Sequence, residues 1–454
     1  MFPGDYSLLI MQVAEMAGDT NVMAKEYDRM QKLLLLVAAC IAIDQTLLSV
    51  VILLTLLAGL RLAWKEREVP QLRIWPRSLK WILFLLLAVG YLSLHNPLVT
   101  EKFTCTFNFI YVVGQYAAIV WLVTRFGHPF VGQDPFAKPL PYVEGLSFWE
   151  IFARQPFVIR LLRILSWIAV VSVLAGIVQH YFGGATDALW VDREANPLLR
   201  NRIYSTWENP NIFAGYLCIV AAYVMGYISV DKNSRKRWGM FGFLLLVLAC
   251  EVFTFSRGFW VAMAVEVLAF VLLFYRRGIL YLAGVALAGA ALAGPVVWQR
   301  LETLKHFTED SSAAMRLAYL EIAQAIVEDH PLGIGWYNYR YIFPEYDFYF
   351  KNPDVIMYHS HNLFLNIAAE LGIPGLILFL CAWAGLLYMA VKLVKKARFL
   401  WVQAFSAGYL LMCLGIIVGG IGDHVLFNVR MGVLFWLLNA LLVLIWNFNR
   451  FASE

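Results

Sequence analysis

The chain has 454 residues, of which 61% are apolar and only 15% charged. A soluble globular domain sits near half apolar and a quarter charged, so composition points away from a water-soluble fold and towards a lipid-embedded bundle. The formal charge of +5 gives no ground for a nucleic-acid partner; in a membrane protein the placement of charge says more than its sum.

Residues 1–32 carry Asp5, Glu15, Asp19, Lys25, Glu26, Asp28 and Arg29. They lack the basic-then-apolar order of a cleaved signal peptide and are expected to form a cytoplasmic N-terminal segment. Leu33 to Leu60 is too long for one simple span and is interrupted by Asp44-Gln45-Thr46, which predicts two short helices. Further apolar runs follow at 78–96, 103–124, 163–182, 211–229, 238–255, 259–275 and 279–298. Between the second and third of these, the Gly- and Pro-rich stretch 125–162 predicts an irregular connection with a surface helix near 146–155. Three more runs, 362–391, 400–420 and 425–448, close the chain. The expected fold is an all-α polytopic membrane protein of about 12 transmembrane helices. It divides into residues 1–32, helices one to nine over 33–298, one large extracytoplasmic loop over 299–361, and the last three helices over 362–454.

Cytoplasmic loops should be enriched in Lys and Arg. This threading puts 25 of the 36 basic residues on the cytoplasmic side and predicts both termini there. Cys40, Cys105, Cys218, Cys250, Cys381 and Cys413 all lie in apolar runs without CxxC spacing, so they read as packing residues.

Ionisable groups at membrane depth are costly and by default suggest function. Four segments gather them at the outer helix ends: RIYSTWENPNIFAGYL at 202–217, TFSRGFW at 254–260, RLAYLEIAQAIVEDHPLGIGWYNY at 316–339 and HSHNLFLNIAAELGIPG at 359–375. In order and wording they resemble the bacterial O-antigen ligase and O-antigen polymerase superfamily, closely over about residues 200–380. The specific parts are the His361-Asn362 pair opening a helix that runs to Glu370-Leu-Gly, the Ser-Arg-Gly around Arg257, and the Arg316-led helix ending in His-Pro-Leu-Gly-x-Gly.

The resemblance implies a metal-independent, inverting membrane glycosyltransferase of the multi-helix, GT-C-like type, needing no cofactor. Its donor would be a glycan on undecaprenyl pyrophosphate, presented at the outer face of a bacterial inner membrane. Its acceptor would be the core sugar of lipid A, with another lipid-linked glycan or a protein hydroxyl as alternatives. Carried over residue by residue, the essential arginines are Arg257 and Arg316 and the essential histidine is His361. Arg202, Asn211, Asn362 and His359 are expected to bind substrate. The chemistry agrees: guanidinium groups hold pyrophosphate oxygens bidentately without deprotonating, and an imidazole can take the proton of an attacking hydroxyl.

Each assignment has a plainer rival. Arg257 would also serve as a headgroup anchor, Arg316 as a solvated helix residue, and His361 as an interfacial hydrogen-bonding group. His359-x-His361 would also serve as half of a metal site, but two histidines need further ligands and the outer loops show no Asp-x-Asp pair. A transporter would instead show matched broken helices in its two halves; Gly372, Pro374 and Gly375 have no counterpart in the first half. On ideal helices, Glu370 lies about 13.5 Å below His361 and Arg430 about 10.5 Å below Asp423, which predicts a Glu370–Arg430 structural pair. Glu251 and Glu266 are buried candidates whose partners the sequence does not identify.

Overall fold

The computed structural model describes residues 20–65, 75–127, 155–183, 202–231, 233–274, 311–349 and 356–451. Among the described residues every regular element is helical. The α-helices are α1 (Thr20–Cys40), α2 (Gln45–Lys65), α3 (Arg77–Ser93), α4 (Lys102–Phe126), α5 (Phe157–Phe182), α6 (Pro210–Val230) and α7 (Ser234–Phe253). They continue with α8 (Arg257–Phe274), α9 (Ser311–Asp329), α10 (Tyr339–Tyr346), α11 (Leu363–Lys396), α12 (Leu400–Gly422) and α13 (Val429–Phe451). Eight of them, α2, α4, α5, α6, α8, α11, α12 and α13, are long and apolar enough to cross a membrane, so the chain is a multi-pass membrane protein. The apolar run 279–298 and the surface helix expected near 146–155 lie outside the described residues.

The break at Asp44 is where the sequence places it, and Asp44 caps α2 by accepting from the Leu47 N–H at 2.7 Å. The first helix differs from expectation. It begins at Thr20, inside the segment read as a polar tail. The cause is tertiary: Arg160 of α5, buried, donates to the Gln31 side chain at 2.6 Å and lies 3.8 Å from Asp28. Gln31 in turn donates to the Phe126 carbonyl at 3.1 Å. A charged first half can therefore pack as helix against α4 and α5.

The most buried spans are α6, α12 and α13. Helices α6 and α12 meet where Gly226 faces Gly408; a Cβ on Gly226 would stand 2.5 Å from the Gly408 nitrogen. Small residues let backbones approach closely where lipid supplies no hydrophobic drive.

Helix α9 does not join the spans. Its stripe Tyr319, Ile322, Ala323 and Ile326 recurs at helical spacing and packs on Ile334, Tyr339, Ile342 and Phe343 and on Ala369 of α11. The segment between α9 and α10 is pinned to a break in α11. Gly372 takes φ 73° and ψ 175°, and Gly333 takes φ 90°. The two touch backbone to backbone, where a Cβ on Gly372 would stand 2.4 Å from the Leu332 carbonyl carbon. Ile334 donates to the Ala369 carbonyl at 2.8 Å and Ile373 to that of Pro331 at 2.9 Å. Thus the helix opened by His361-Asn362 is two helices end to end, with a loop clamped across the joint.

Candidate active site

At one end of the bundle, residues from five separate stretches of chain converge on Asp423, which follows the last residue of α12. One carboxylate oxygen accepts from the Asn211 amide at 2.8 Å. The other accepts from the His424 backbone N–H at 2.8 Å and faces His361 Nδ1 at 3.1 Å. Burial opposes the charge on Asp423. The hydrogen bond from His361 and the positive fields of His361, Arg316 and His359 overcome that and hold it well below the usual carboxylate range. An ionised carboxylate can only accept, so Nδ1 of His361 carries the proton that faces it, and in the neutral ring that tautomer puts the lone pair on Nε2.

Asn211, on the first turn of α6, uses both ends of its amide. Its oxygen accepts from Arg202 at 2.8 Å and from the Ser256 hydroxyl at 2.6 Å, while its nitrogen holds Asp423. Arg202 also donates to Ser256 at 3.0 Å and, through Nε, to the Thr254 carbonyl at 2.7 Å. The two residues expected to bind substrate therefore position Asp423 from behind. Ser256 precedes Arg257, which is buried at the first position of α8. Arg316, on α9, shares a crevice with Asn211, Ser256, Gly258 and Asp423. Three residues further along α9, Tyr319 lays its ring on His361 with centroids 5.4 Å apart and planes 21° apart. One helix face thus carries Arg316 towards Asp423 and Tyr319 onto the imidazole.

His361 itself takes φ 52°, the left-handed region that side chains rarely adopt. Its backbone N–H donates to His359 Nδ1 at 3.2 Å, and the two rings lie 4.5 Å apart. Burial, together with His361 and His424, pushes the His359 imidazole well below the usual range. Burial also pushes His424 down to about 4, with His361 adding to the effect and Asp423 opposing it. Backbone in sparsely populated regions persists where the surroundings over-determine it, and such residues cluster at functional sites. Ser205, Glu208, Phe255 and Tyr337 share the positive φ and belong to the turns around this same cluster.

Two sequence assignments are corrected. Asn362, expected to bind substrate, is the N-cap of α11: its side-chain oxygen accepts from Phe364 and Leu365 N–H at 3.0 and 2.9 Å, and its nitrogen donates to the Ile421 carbonyl at 3.0 Å. Glu370 and Arg430 do not pair. The chain does not run straight from Asp423 into the last helix. A 3₁₀ turn over Val425–Phe427 intervenes, so Arg430 is the second residue of α13. There it donates to the Thr206 carbonyl at 2.9 Å, stacks over Trp207 at 5.1 Å and lies 3.7 Å from Glu208. Glu370 turns to the backbone N–H groups of Tyr337 and Tyr339 in the loop clamped over α11.

Sequence reasoning used Asp423 only as a depth marker and passed over His424, Ser256 and Tyr319. The Asp423-His424 pair between two apolar runs carried the same signal that singled out the four segments. Asp423 also supplies what the metal argument found missing, because donor atoms of His359, His361 and Asp423 all lie within 4.8 Å of one another. Two imidazoles and a carboxylate suit zinc or a related divalent ion. The hydrogen bonds described above use Nδ1 of both rings, so a metal would be met by Nε2 or would displace them.

The cluster opens on a cavity of about 1260 Å³. Its head is lined by Arg202, Asn211, His359, His361 and Asp423; its body is apolar, running past Phe109, Val112 and Tyr116 of α4 and Phe435 of α13 to Trp75, Lys80 and Trp81.

Residues 241–380 match the sequence model of a family described as O-antigen ligase. The matched stretch contains Arg257, Arg316, His359, His361 and Glu370 and stops short of Asp423. A curated protein of Rickettsia conorii, provisionally named a polysaccharide ligase, is 27% identical over 175 residues. That alignment covers 36% of this chain and 41% of the relative. Both matches bear out the resemblance to the O-antigen ligase superfamily drawn from the four segments.

Proposed function

We propose that the chain is a membrane glycosyltransferase that moves a glycan from undecaprenyl pyrophosphate to an acceptor hydroxyl, ligating O-antigen to lipid A-core at the extracytoplasmic face of a bacterial inner membrane. The observation that carries this reading is the Asp423–His361 pair standing at the head of an apolar cavity, with Arg202 in its lining and Arg316 in the crevice that shares Asn211 and Asp423. The polyprenyl tail lies along the apolar body. Arg316 and Arg257 meet the pyrophosphate, whose charge they can share in bidentate hydrogen bonds.

The acceptor O–H is placed against His361 Nε2. As its oxygen bonds to the anomeric carbon, the proton passes to Nε2, and the carbon–oxygen bond to the pyrophosphate breaks. Undecaprenyl pyrophosphate leaves with the electron pair, and single displacement inverts the anomeric centre. Asp423 holds the ring in the tautomer that makes Nε2 the base and stabilises the imidazolium that forms.

The test is transfer by purified protein reconstituted with donor and acceptor, read as undecaprenyl pyrophosphate released, together with donor-binding titrations. His361→Ala should lose about 10²–10⁴-fold in rate, as removal of a general base does, and keep its donor affinity. Arg316→Ala should weaken the donor, and Arg316→Lys should not restore it fully, because an ammonium lacks the guanidinium fork. Parental turnover by His361→Ala sinks this centre, and loss of activity in chelator with recovery on a specific metal converts His359, His361 and Asp423 into ligands.

A further inference from the structure

From His361 a row of rings continues through His359. His359 lies 4.5 Å from His361 and 4.7 Å from Phe427. Phe427 stacks with Tyr337 at 6.3 Å and 13°, and Tyr337 meets Tyr358 at 6.3 Å. His359, Phe427, Tyr337 and Tyr358 all line the cavity. At the end of the row stands Arg340, its guanidinium carbon 4.8 Å from the Tyr358 ring centre, 4.9 Å from Tyr341 and 5.8 Å from Tyr337.

Among the described residues Arg340 makes one side-chain hydrogen bond, to the Tyr337 hydroxyl at 3.5 Å. Among the described residues no carboxylate lies within ion-pair distance of it. This contrasts with Arg160 and Arg430, which each have a carboxylate within 3.8 Å. A cation held flat against rings keeps its N–H edge for another acceptor, and stacking fixes the plane in which that edge points. A row of ring faces and edges beside a general base is a surface on which the C–H face of a pyranose can stack.

We propose that this row is the acceptor-saccharide subsite, and that Arg340 selects acceptors carrying a phosphate on a sugar near the accepting hydroxyl. The inference rests on the transfer reaction proposed above. Arg202, Asn211, Ser256 and Arg316 gather around Asp423, and the ring row runs on from His359, so donor and acceptor would each have a place beside His361.

The experiment compares phosphorylated lipid A-core with the same material after chemical dephosphorylation, in the reconstituted assay, using the parent, Arg340→Gln, Arg340→Lys and Tyr358→Ala. A charge-assisted hydrogen bond is worth about 1.5–3 kcal/mol, so Arg340→Gln should raise KM for the phosphorylated acceptor about 10–100-fold. It should leave kcat, donor KM and turnover of the dephosphorylated acceptor near parental values. Arg340→Lys should recover part of the loss, and Tyr358→Ala should weaken both acceptors alike. Equal loss on both acceptors by Arg340→Gln would reduce Arg340 to a packing cation and overturn the proposal. A change in donor KM alone would move the anion to the donor and overturn it too. Titration of the detergent-solubilised protein with soluble core oligosaccharide, phosphorylated and dephosphorylated, reads the subsite without turnover. Binding that depends on charge and on Arg340 in a protein that transfers nothing would uphold the subsite and overturn the transfer reading instead.

Discussion

Two groups of buried acids sit in this molecule and have opposite surroundings. Asp423 accepts three hydrogen bonds from groups on separate stretches of chain, and every one of those donors is itself held by a further partner or by the backbone. Glu251 of α7 and Glu266 of α8 are buried inside the bundle, and among the described residues all four of their carboxyl oxygens lack a hydrogen-bond partner. Satisfied networks rigidify and specify one geometry, whereas an unpartnered polar group in low dielectric only costs stability. The difference teaches that burial of a charge does not mark the functional centre here; its connectedness does.

Breaking the connected side should have the largest effect. Asp423→Asn keeps the shape but presents an amide where His361 needs an acceptor of fixed charge, so the imidazole loses its tautomer and its counter-charge. Transfer should fall about 10³–10⁴-fold, by analogy with the orienting aspartate of a catalytic triad, with the thermal midpoint nearly unchanged. A rate within tenfold of the parent would show that His361 works without it.

The Arg430 and Glu370 anchors sharpen the comparison from the structural side. Arg430→Leu should destabilise the detergent-solubilised protein by about 1–3 kcal/mol, because the Thr206 carbonyl loses its donor and Trp207 its stacked cation, while the exposed Glu208 loses little. Glu370→Gln should cost less. Since the two touch different loops, their losses should add within about 0.5 kcal/mol in the double variant. A large coupling energy would restore the pair that the sequence suggests.

The pH dependence of stability is a smaller signal. His424 sits at about 4 in the folded chain against an ordinary 6.5. The unfolded chain therefore binds a proton between those values that the folded chain refuses, and stability should fall as pH is lowered from 6.5 towards 4 while staying flat above 6.5. His424→Gln should flatten the slope in a series of thermal melts. An unchanged slope would assign it to other groups.

The smallest effect is expected on the unconnected side. Glu251→Gln and Glu266→Gln should leave transfer within about twofold and stability unchanged or higher, since surface-like neutrality follows when no partner is lost. A large loss of turnover in either would show that these acids serve the reaction after all.

Sequence alone determined the all-helical membrane class, the break at Asp44, the run boundaries of the described spans and four of the segments that meet at the site. These follow from hydropathy over about 20 residues, helix-breaking residues and the cost of charge in lipid, all of which are local properties. It could also name His361, Arg316 and Arg257, because their neighbours carry a family's wording. It could not decide who partners whom. Asp423 lies 62 residues from His361 and 212 from Asn211, and a lone acid after an apolar run is silent until folding sets it between them. The Glu370–Arg430 expectation failed for the same reason in reverse: ideal-helix arithmetic took α11 and α13 as unbroken rods. The joint at Gly372 and the 3₁₀ turn before Val429 moved both side chains to partners that only the packed bundle provides.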